Sequence, residues 1–371
     1  MRRIPRSVAW WLFERPCQDS EPGRSEPAVN RTGNFMELRT LGRSGPTISR
    51  LALGCMAMSD LYGGPQDRKS CIATIHAAVE AGVTLLDTGD FYGMGHNELL
   101  IAEALRGRPR DKLCISVKFG MQRGPDGTWF APNGRPEAVK TALAYSLQRL
   151  GTDYVDIYRL ARLDPEVPIE DTIGAIAEMV QAGYVRHIGL SEAGAETIRR
   201  AAAVHPISDL QMEYSLFARG VEDRILPVLR ELGIGLTAYG VLARGLLTGH
   251  WRQIALPPDD FRSTVPWFFP GNIAHNLTLV ERLRAFADER GASVAEMAQA
   301  WVAAQGKDIV TLVGATQPDQ LAEALSGAAI RLTEEESDSI KALIPSADVA
   351  GARASGEQLD ILDSEAAAAN G

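Results

Sequence analysis

The sequence is poor in cysteine: of 371 residues only Cys17, Cys55, Cys71 and Cys114 are of this type, and no two form a C-x-x-C pair. That excludes a dense disulfide framework and gives no zinc-site spacing, so the thiols read as the reduced residues of a cytoplasmic protein and no metal is expected. Cys71 and Cys114 fall in apolar-patterned segments and read as core. Long apolar runs are missing as well, which argues against a spanning helix and a membrane partner. Basic charge is in deficit, 38 Lys and Arg against 47 Asp and Glu, for a formal charge of −9. This is the wrong sign for a nucleic-acid partner, which favours a basic surface. Nor does any strand-like segment lead into G-x-G-x-x-G, the mark of an open doubly wound dinucleotide fold. Gly93-Met94-Gly95 follows a tyrosine and carries no such signal.

What is present is a long alternation of short apolar strands and amphipathic helices. Residues 1–35 stand apart: a basic start, a very short apolar run, then a Pro/Ser/Glu-rich stretch expected to be disordered. The apolar run is too short for a secretory signal. Residues 1–35 therefore read as an extension, and 36–371 as one domain. MELRTLG and TISRLALG predict a hairpin with Gly45-Pro46 in its turn. Strands are predicted at 51–53, 83–87, 113–118, 154–158, 187–191, 210–214, 235–239 and 309–314. Helices are predicted between them, for example over 71–81, 136–150, 169–182 and 195–204. The stripe Ile169, Ile173, Ile176, Met179 and Val180 has helical spacing. Eight such units predict an α/β fold, a (β/α)8 TIM barrel with an N-terminal β-hairpin and a C-terminal extra helix or loop.

Active sites of such barrels lie at the C-terminal strand ends. Asp87, Lys118, Ser191, Gln211 and Tyr239 all fall there, and buried strands do not carry ionisable groups without partners. Asp87, Tyr92 and Lys118 make a coherent proton-handling set. Tyrosine ordinarily titrates near pH 10; a nearby ammonium favours the tyrosinate, and a buried ammonium needs a carboxylate. The spacing alone equally allows an Asp–Lys ion pair with an unrelated surface tyrosine. Met56, Trp129 and Phe130, with part of 267–269, are candidate substrate walls in loops, suggesting an apolar-to-mixed pocket.

Several ordered segments then narrow the reading. LLDTGDFYGMGHNE, SVKFG, VRHIGLSE, LQMEYSL and GLTAYGVLARGLLTG resemble, in this order, the signature blocks of the aldo-keto reductase superfamily, closest to its bacterial members. The resemblance runs from about residue 36 to about 360. It implies an NAD(P)H-dependent oxidoreductase that reduces a small-molecule carbonyl to an alcohol, or the reverse. By that resemblance Asp87 holds Lys118, Lys118 lowers the pKa of Tyr92, and Tyr92 is the general acid. Ser191 and Gln211 would bond the nicotinamide carboxamide and Tyr239 would stack on its ring. Gly240, Leu242, Arg244 and Gly245 would follow the pyrophosphate, Arg244 as a charge-assisted partner.

Two departures stand out. The family pattern YxQHRVDP here reads Tyr158-Arg159-Leu160-Ala161-Arg162-Leu163-Asp164-Pro165, so Ala161 occupies the place of a histidine that polarises the carbonyl. Losing such a donor lowers rates by roughly 10²–10³ where it matters. Arg159 and Arg162 flank the gap as candidate replacements, and Ala161 leaves room for a bulkier substrate. At the adenosine end, Gly314 and Gln320 stand where NADP-selecting members place basic residues. Ala315, Thr316 and Gln320 offer neutral hydrogen bonds, and Glu323 is a candidate acceptor for the adenine amine. NADPH is the expected cofactor, with NADH as rival. Two other readings stay open: a non-catalytic nicotinamide-binding sensor, and a reductase of a conjugated double bond.

Overall fold

The computed structural model describes residues 36–59, 66–252, 256 and 260–366. The extension expected at 1–35 and Cys17 lie outside the described residues. The described residues hold twelve strands, in chain order: β1 (Leu38–Thr40), β2 (Thr47–Ser49), β3 (Leu51–Gly54), β4 (Leu85–Gly89), β5 (Cys114–Phe119), β6 (Gln122–Arg123), β7 (Trp129–Phe130), β8 (Val155–Leu160), β9 (Val185–Ser191), β10 (Ile207–Glu213), β11 (Gly235–Tyr239) and β12 (Ile309–Gly314). Eight of them close a parallel barrel in the order β10-β11-β12-β3-β4-β5-β8-β9, while β1 with β2 and β6 with β7 form separate antiparallel pairs. The predicted (β/α)8 barrel with its N-terminal hairpin is therefore the fold.

Helices wrap the barrel with apolar stripes inward. The one predicted from residue 169 runs Ile169–Gln181 and buries Ile169, Ile173 and Ile176. The helix Pro136–Leu150 begins with proline and ends at Gly151 with φ 64°, the left-handed stop that glycine favours. Two later helices, Val294–Ala304 and Glu334–Leu343, start with capping boxes, Ser293 with Glu296 and Thr333 with Glu336. The final stretch carries the short helices Glu357–Asp360 and Asp363–Ala366, matching the expected C-terminal addition.

Several strand boundaries shift by one to three residues from expectation, and two of these shifts bear on the site. The strand predicted at 83–87 lies at Leu85–Gly89. Val83 N–H instead bonds Ala78 O at 2.9 Å, helping close the preceding helix, Arg68–Glu80. The strand predicted at 154–158 runs on to Leu160, which brings Arg159 into the barrel wall.

The barrel interior is layered. At the N-terminal end Leu41 and Ile48 of the hairpin pack with Ala52, Leu85, Cys114, Ile157, Val310 and Leu312. The hairpin is fastened by Arg39, whose Nη1 donates to the carbonyls of Ala303 (3.1 Å) and Gly306 (2.9 Å). Cys55, Cys71 and Cys114 are buried free thiols, as their apolar settings suggested for the latter two.

Candidate active site

Above this hydrocarbon floor the interior becomes ionic. Asp87 is buried in β4; its Oδ1 accepts from Lys118 Nζ of neighbouring β5 in a short contact. Its Oδ2 accepts from Ser116 Oγ at 2.9 Å, Gln211 Nε2 at 2.9 Å and Arg159 Nη1 at 3.0 Å. Burial pushes the Asp87 carboxyl up, yet Lys118 and then Arg159 outweigh it and hold the group below the ordinary aspartate range. Lys118 moves down from the ordinary lysine value because burial disfavours its charge; Asp87 opposes this, and Arg159 adds to it.

Tyr92 is only 6% exposed, in the turn after β4, and Lys118 Nζ lies 5.2 Å from its ring centroid. Three successive left-handed residues, Gly93 (φ 55°), Met94 (φ 52°) and Gly95 (φ 95°), reverse the chain beyond it. Buried Asn97 fixes that turn: it accepts from Thr88 Oγ1 and donates to Cys55 O and Ser59 Oγ, each at 2.7 Å. The turn also carries Asp90, whose carboxyl is pushed up to about 8 by burial and by neighbouring Glu98, against the pull of Arg149. The structure thus gathers Asp87, Tyr92 and Lys118 in one place and does not leave the tyrosine on the surface.

Arg159 is the main site-layer residue that sequence reasoning placed wrongly. It is fully buried, pairs with Asp87 on one side and donates through Nη2 to Asp209 Oδ2 at 2.6 Å on the other. Asp209 also accepts from Thr237 Oγ1. Gly189, in register with both Arg159 and Asp209, makes room for this layer. A Cβ there would lie 2.7 Å from Asp209 Oδ1 and 3.0 Å from Arg159 Nε. Arg159 is thus committed to an ion-pair layer beneath the strand ends.

On the other side of the mouth, Ser191 and Tyr239 end strands β9 and β11, and Gln211 lies near the end of β10 between them, in register with Ser191. Ser191 and Gln211 are buried, and the Tyr239 hydroxyl donates to Glu192 Oε1 at 2.8 Å. Glu192, unremarked in the sequence, is a buried hub. It accepts from Glu213 N–H at 3.0 Å, from Arg353 Nη2 at 2.6 Å and from Ser364 Oγ at 2.9 Å. Burial would raise its carboxyl, but Arg353 overcomes this and brings it down to about 2. The C-terminal segment is therefore part of this rim.

The loop after β11 carries Gly240 (φ 65°), Ala243 (φ 46°), Arg244 (φ 56°) and Gly245 (φ 107°), with Leu242 between them. Arg244 pairs with Glu213 at 3.0 Å. The non-glycine residues with positive φ among those described are Met94, Glu192, Ala243 and Arg244, all in loops following strands of this rim. Such backbone costs about 1–2 kcal/mol per residue and concentrates at ligand-holding sites. After β12 Gly314 is exposed, and Gln320 Oε1 accepts from Thr316 N–H at 2.9 Å. Glu323 accepts from Ser293 Oγ at 2.6 Å, so it already serves the cap of the preceding helix, Val294–Ala304.

The expected substrate walls are divided. Trp129 and Phe130 form the exposed strand β7; the Trp129 ring meets Phe91 edge-on at 5.9 Å, and Phe91 meets Tyr92 at 4.9 Å. Met56 opens the turn after β3 and is half-buried. Trp267 and Phe268 are buried in the main core, leaving Phe269 as the exposed member of that trio. Ala161 is buried at the end of β8.

A closed barrel with an Asp–Lys–Tyr cluster and a polar, left-handed loop system on one rim defines a class: barrel oxidoreductases served by a nicotinamide. Residues 50–345 match the aldo/keto reductase family. A probable aldo-keto reductase 1 of Glycine max is 39% identical over 315 residues, spanning 84% of this chain and 90% of that protein. Among solved structures, a glycerol dehydrogenase from Gluconobacter oxydans has a TM-score of 0.76 at 31% identity, covering 82% of this chain and 94% of that one. An aldo-keto reductase from Bacillus halodurans, in its holo form, has a TM-score of 0.71 at 29% identity, covering 84% and 97%. The chain belongs to the aldo/keto reductase family and is an NAD(P)-dependent oxidoreductase of small-molecule carbonyl compounds. Membership of this enzyme family removes the reading as a non-catalytic sensor. No helix among the described residues is long and apolar enough to cross a membrane.

Proposed function

We propose that the protein interconverts a carbonyl and an alcohol with Tyr92 as general acid and base. The observation that carries this is the buried Tyr92 ring with Lys118 Nζ 5.2 Å from its centroid, the lysine itself anchored on Asp87. A bound nicotinamide supplies or accepts the hydride. Tyr92 gives its phenolic proton to the carbonyl oxygen as charge develops there, and takes it back in the reverse direction. Lys118 favours the tyrosinate that remains. Asp87 keeps the ammonium in place and offsets its burial.

The cofactor residues are read the same way. Ser191 and Gln211 are suited to bonding the carboxamide, and Tyr239 offers an aromatic face beside them. Gly240, Leu242, Arg244 and Gly245 form a loop suited to the pyrophosphate. Gly314, Thr316 and Gln320 bring no cation to the adenosine end, so NADPH is the first choice on family grounds and NADH a direct competitor. Met56, Trp129, Phe130 and Ala161 form the proposed substrate wall.

The test is a screen of NADPH and NADH oxidation over aldehydes, ketones, keto-sugars and enones, run with Tyr92→Phe in parallel. The variant is expected to lose roughly 10²–10⁴ in kcat. Carbonyl turnover that survives in Tyr92→Phe would remove Tyr92 from the role.

A further inference from the structure

Among the described residues the cations around the strand ends are matched by carboxylates, with one exception. Lys118 meets Asp87, Arg159 meets Asp87 and Asp209, Arg244 meets Glu213, and Arg353 meets Glu192. Arg162 has no carboxylate within salt-bridge reach among the described residues. Its Nη1 donates to Ala161 O at 2.6 Å and lies 3.4 Å from Ser191 Oγ. Its Nε is buried with no hydrogen-bond partner.

The position of this guanidinium is equally telling. It follows β8 directly, where Ala161 offers only a methyl group. Strand β8 stands between β5, which carries Lys118, and β9, which carries Ser191, so Arg162 lies between the proton-handling cluster and the Ser191–Tyr239 rim. The loop beneath it is pinned by buried Asp164, which accepts from Gly134 N–H at 2.8 Å and Glu166 N–H at 2.9 Å. Arg244, which stands on the left-handed loop, is the better placed cation for a pyrophosphate. A half-buried guanidinium held firmly and lacking an anion favours binding one, because a carboxylate can engage its planar fork with charge-assisted hydrogen bonds.

We propose that Arg162 is the docking point for a carboxylate on the substrate, and that the enzyme acts on oxo acids whose carbonyl faces Tyr92. This rests on the carbonyl-reductase reading above. Arg162 is thereby a specificity-determining residue.

The experiment compares matched pairs, 4-oxobutanoate and phenylglyoxylate each against its methyl ester, with wild type, R162Q and R162K. Wild type is expected to favour the acids in kcat/KM. R162Q should lower the acid-to-ester ratio by about 10- to 100-fold, the scale of a charge-assisted bond, and R162K should restore part of it. Salt should raise KM for the acids more than for the esters. Esters preferred by wild type, or an acid-to-ester ratio unchanged in R162Q, would overturn the inference. A loss of NADPH affinity in R162Q, read by protein fluorescence, would also overturn it by assigning Arg162 to the cofactor. Benzoate binding to the NADPH-loaded protein needs no turnover. Binding weakened by R162Q supports the carboxylate site, and equal binding refutes it. Turnover retained in Tyr92→Phe breaks the carbonyl-reductase reading while the benzoate result still decides the Arg162 site.

Discussion

The two ends of the barrel interior are built from opposite materials. At the N-terminal end Leu41, Ile48, Leu85, Ile157 and Val310 fill space with hydrocarbon, and each gains from burial without needing a particular partner. At the C-terminal end Asp87, Lys118, Arg159, Asp209 and Gln211 are equally buried, and each depends on a named neighbour at hydrogen-bond distance. Close-packed apolar residues tolerate changes in proportion to the volume altered. A buried ion layer fails discontinuously, because removing one member strands the charge of another. The contrast separates a part of the barrel filled by volume from a part held by specific pairs.

The largest stability effect expected follows from breaking the ionic end. Arg159→Met deletes the charge shared by Asp87 and Asp209, and should destabilise the protein by about 3–5 kcal/mol in urea unfolding. The methionine keeps much of the volume, so the loss reports the stranded carboxylates. A cost near zero would mean the layer is replaceable by hydrocarbon, and the contrast between the two ends would collapse.

A somewhat smaller effect is expected at the rim, where acid should act through Glu192. Its folded value of about 2 lies below the ordinary 4.5, with Arg353 as the favourable cause. A lowered carboxyl stabilises the fold fully above the unfolded value, and that stability is lost as pH falls from about 4.5 towards 2. The shift corresponds to about 3 kcal/mol. Arg353→Met should therefore lower stability at pH 7 and flatten the dependence of the urea midpoint on pH between 5 and 3. An unchanged acid limb in Arg353→Met would show that the C-terminal segment does not hold Glu192.

Much of the apolar end could be read from residues alone, since strands 235–239 and 309–314 and the stripe along Ile169, Ile173 and Ile176 are matters of periodicity. The placement of Asp87, Lys118, Ser191, Gln211 and Tyr239 in the middle or C-terminal part of barrel strands was legible residue by residue. The ionic layer was not. A charged residue after Tyr158 looks like the start of a loop, and only pairing with Gly189 decides that Arg159 lies inside the wall. Glu192 was equally hidden, because Arg353 lies 161 residues away and nothing local signals their pairing. Glu323 shows the same limit: whether a helical carboxylate faces a ligand site or a neighbouring cap depends on how two helices pack.

The smallest effect expected lies at the apolar end. Ile48 is almost fully buried between the hairpin and the barrel floor, with neighbours Leu41, Ala52 and Leu85 in the same cluster. Ile48→Val removes one methylene and leaves a small void, which should lower stability by about 0.5–1.5 kcal/mol. Valine keeps the β-branch that suits strand β2, so the backbone has no reason to move. The rim chemistry lies at the other end of the barrel, so kcat and KM should stay at wild-type values in the same preparation. If a methylene removed here altered turnover, the hairpin floor and the ionic layer would be mechanically coupled. The two ends would then have to be treated as one unit.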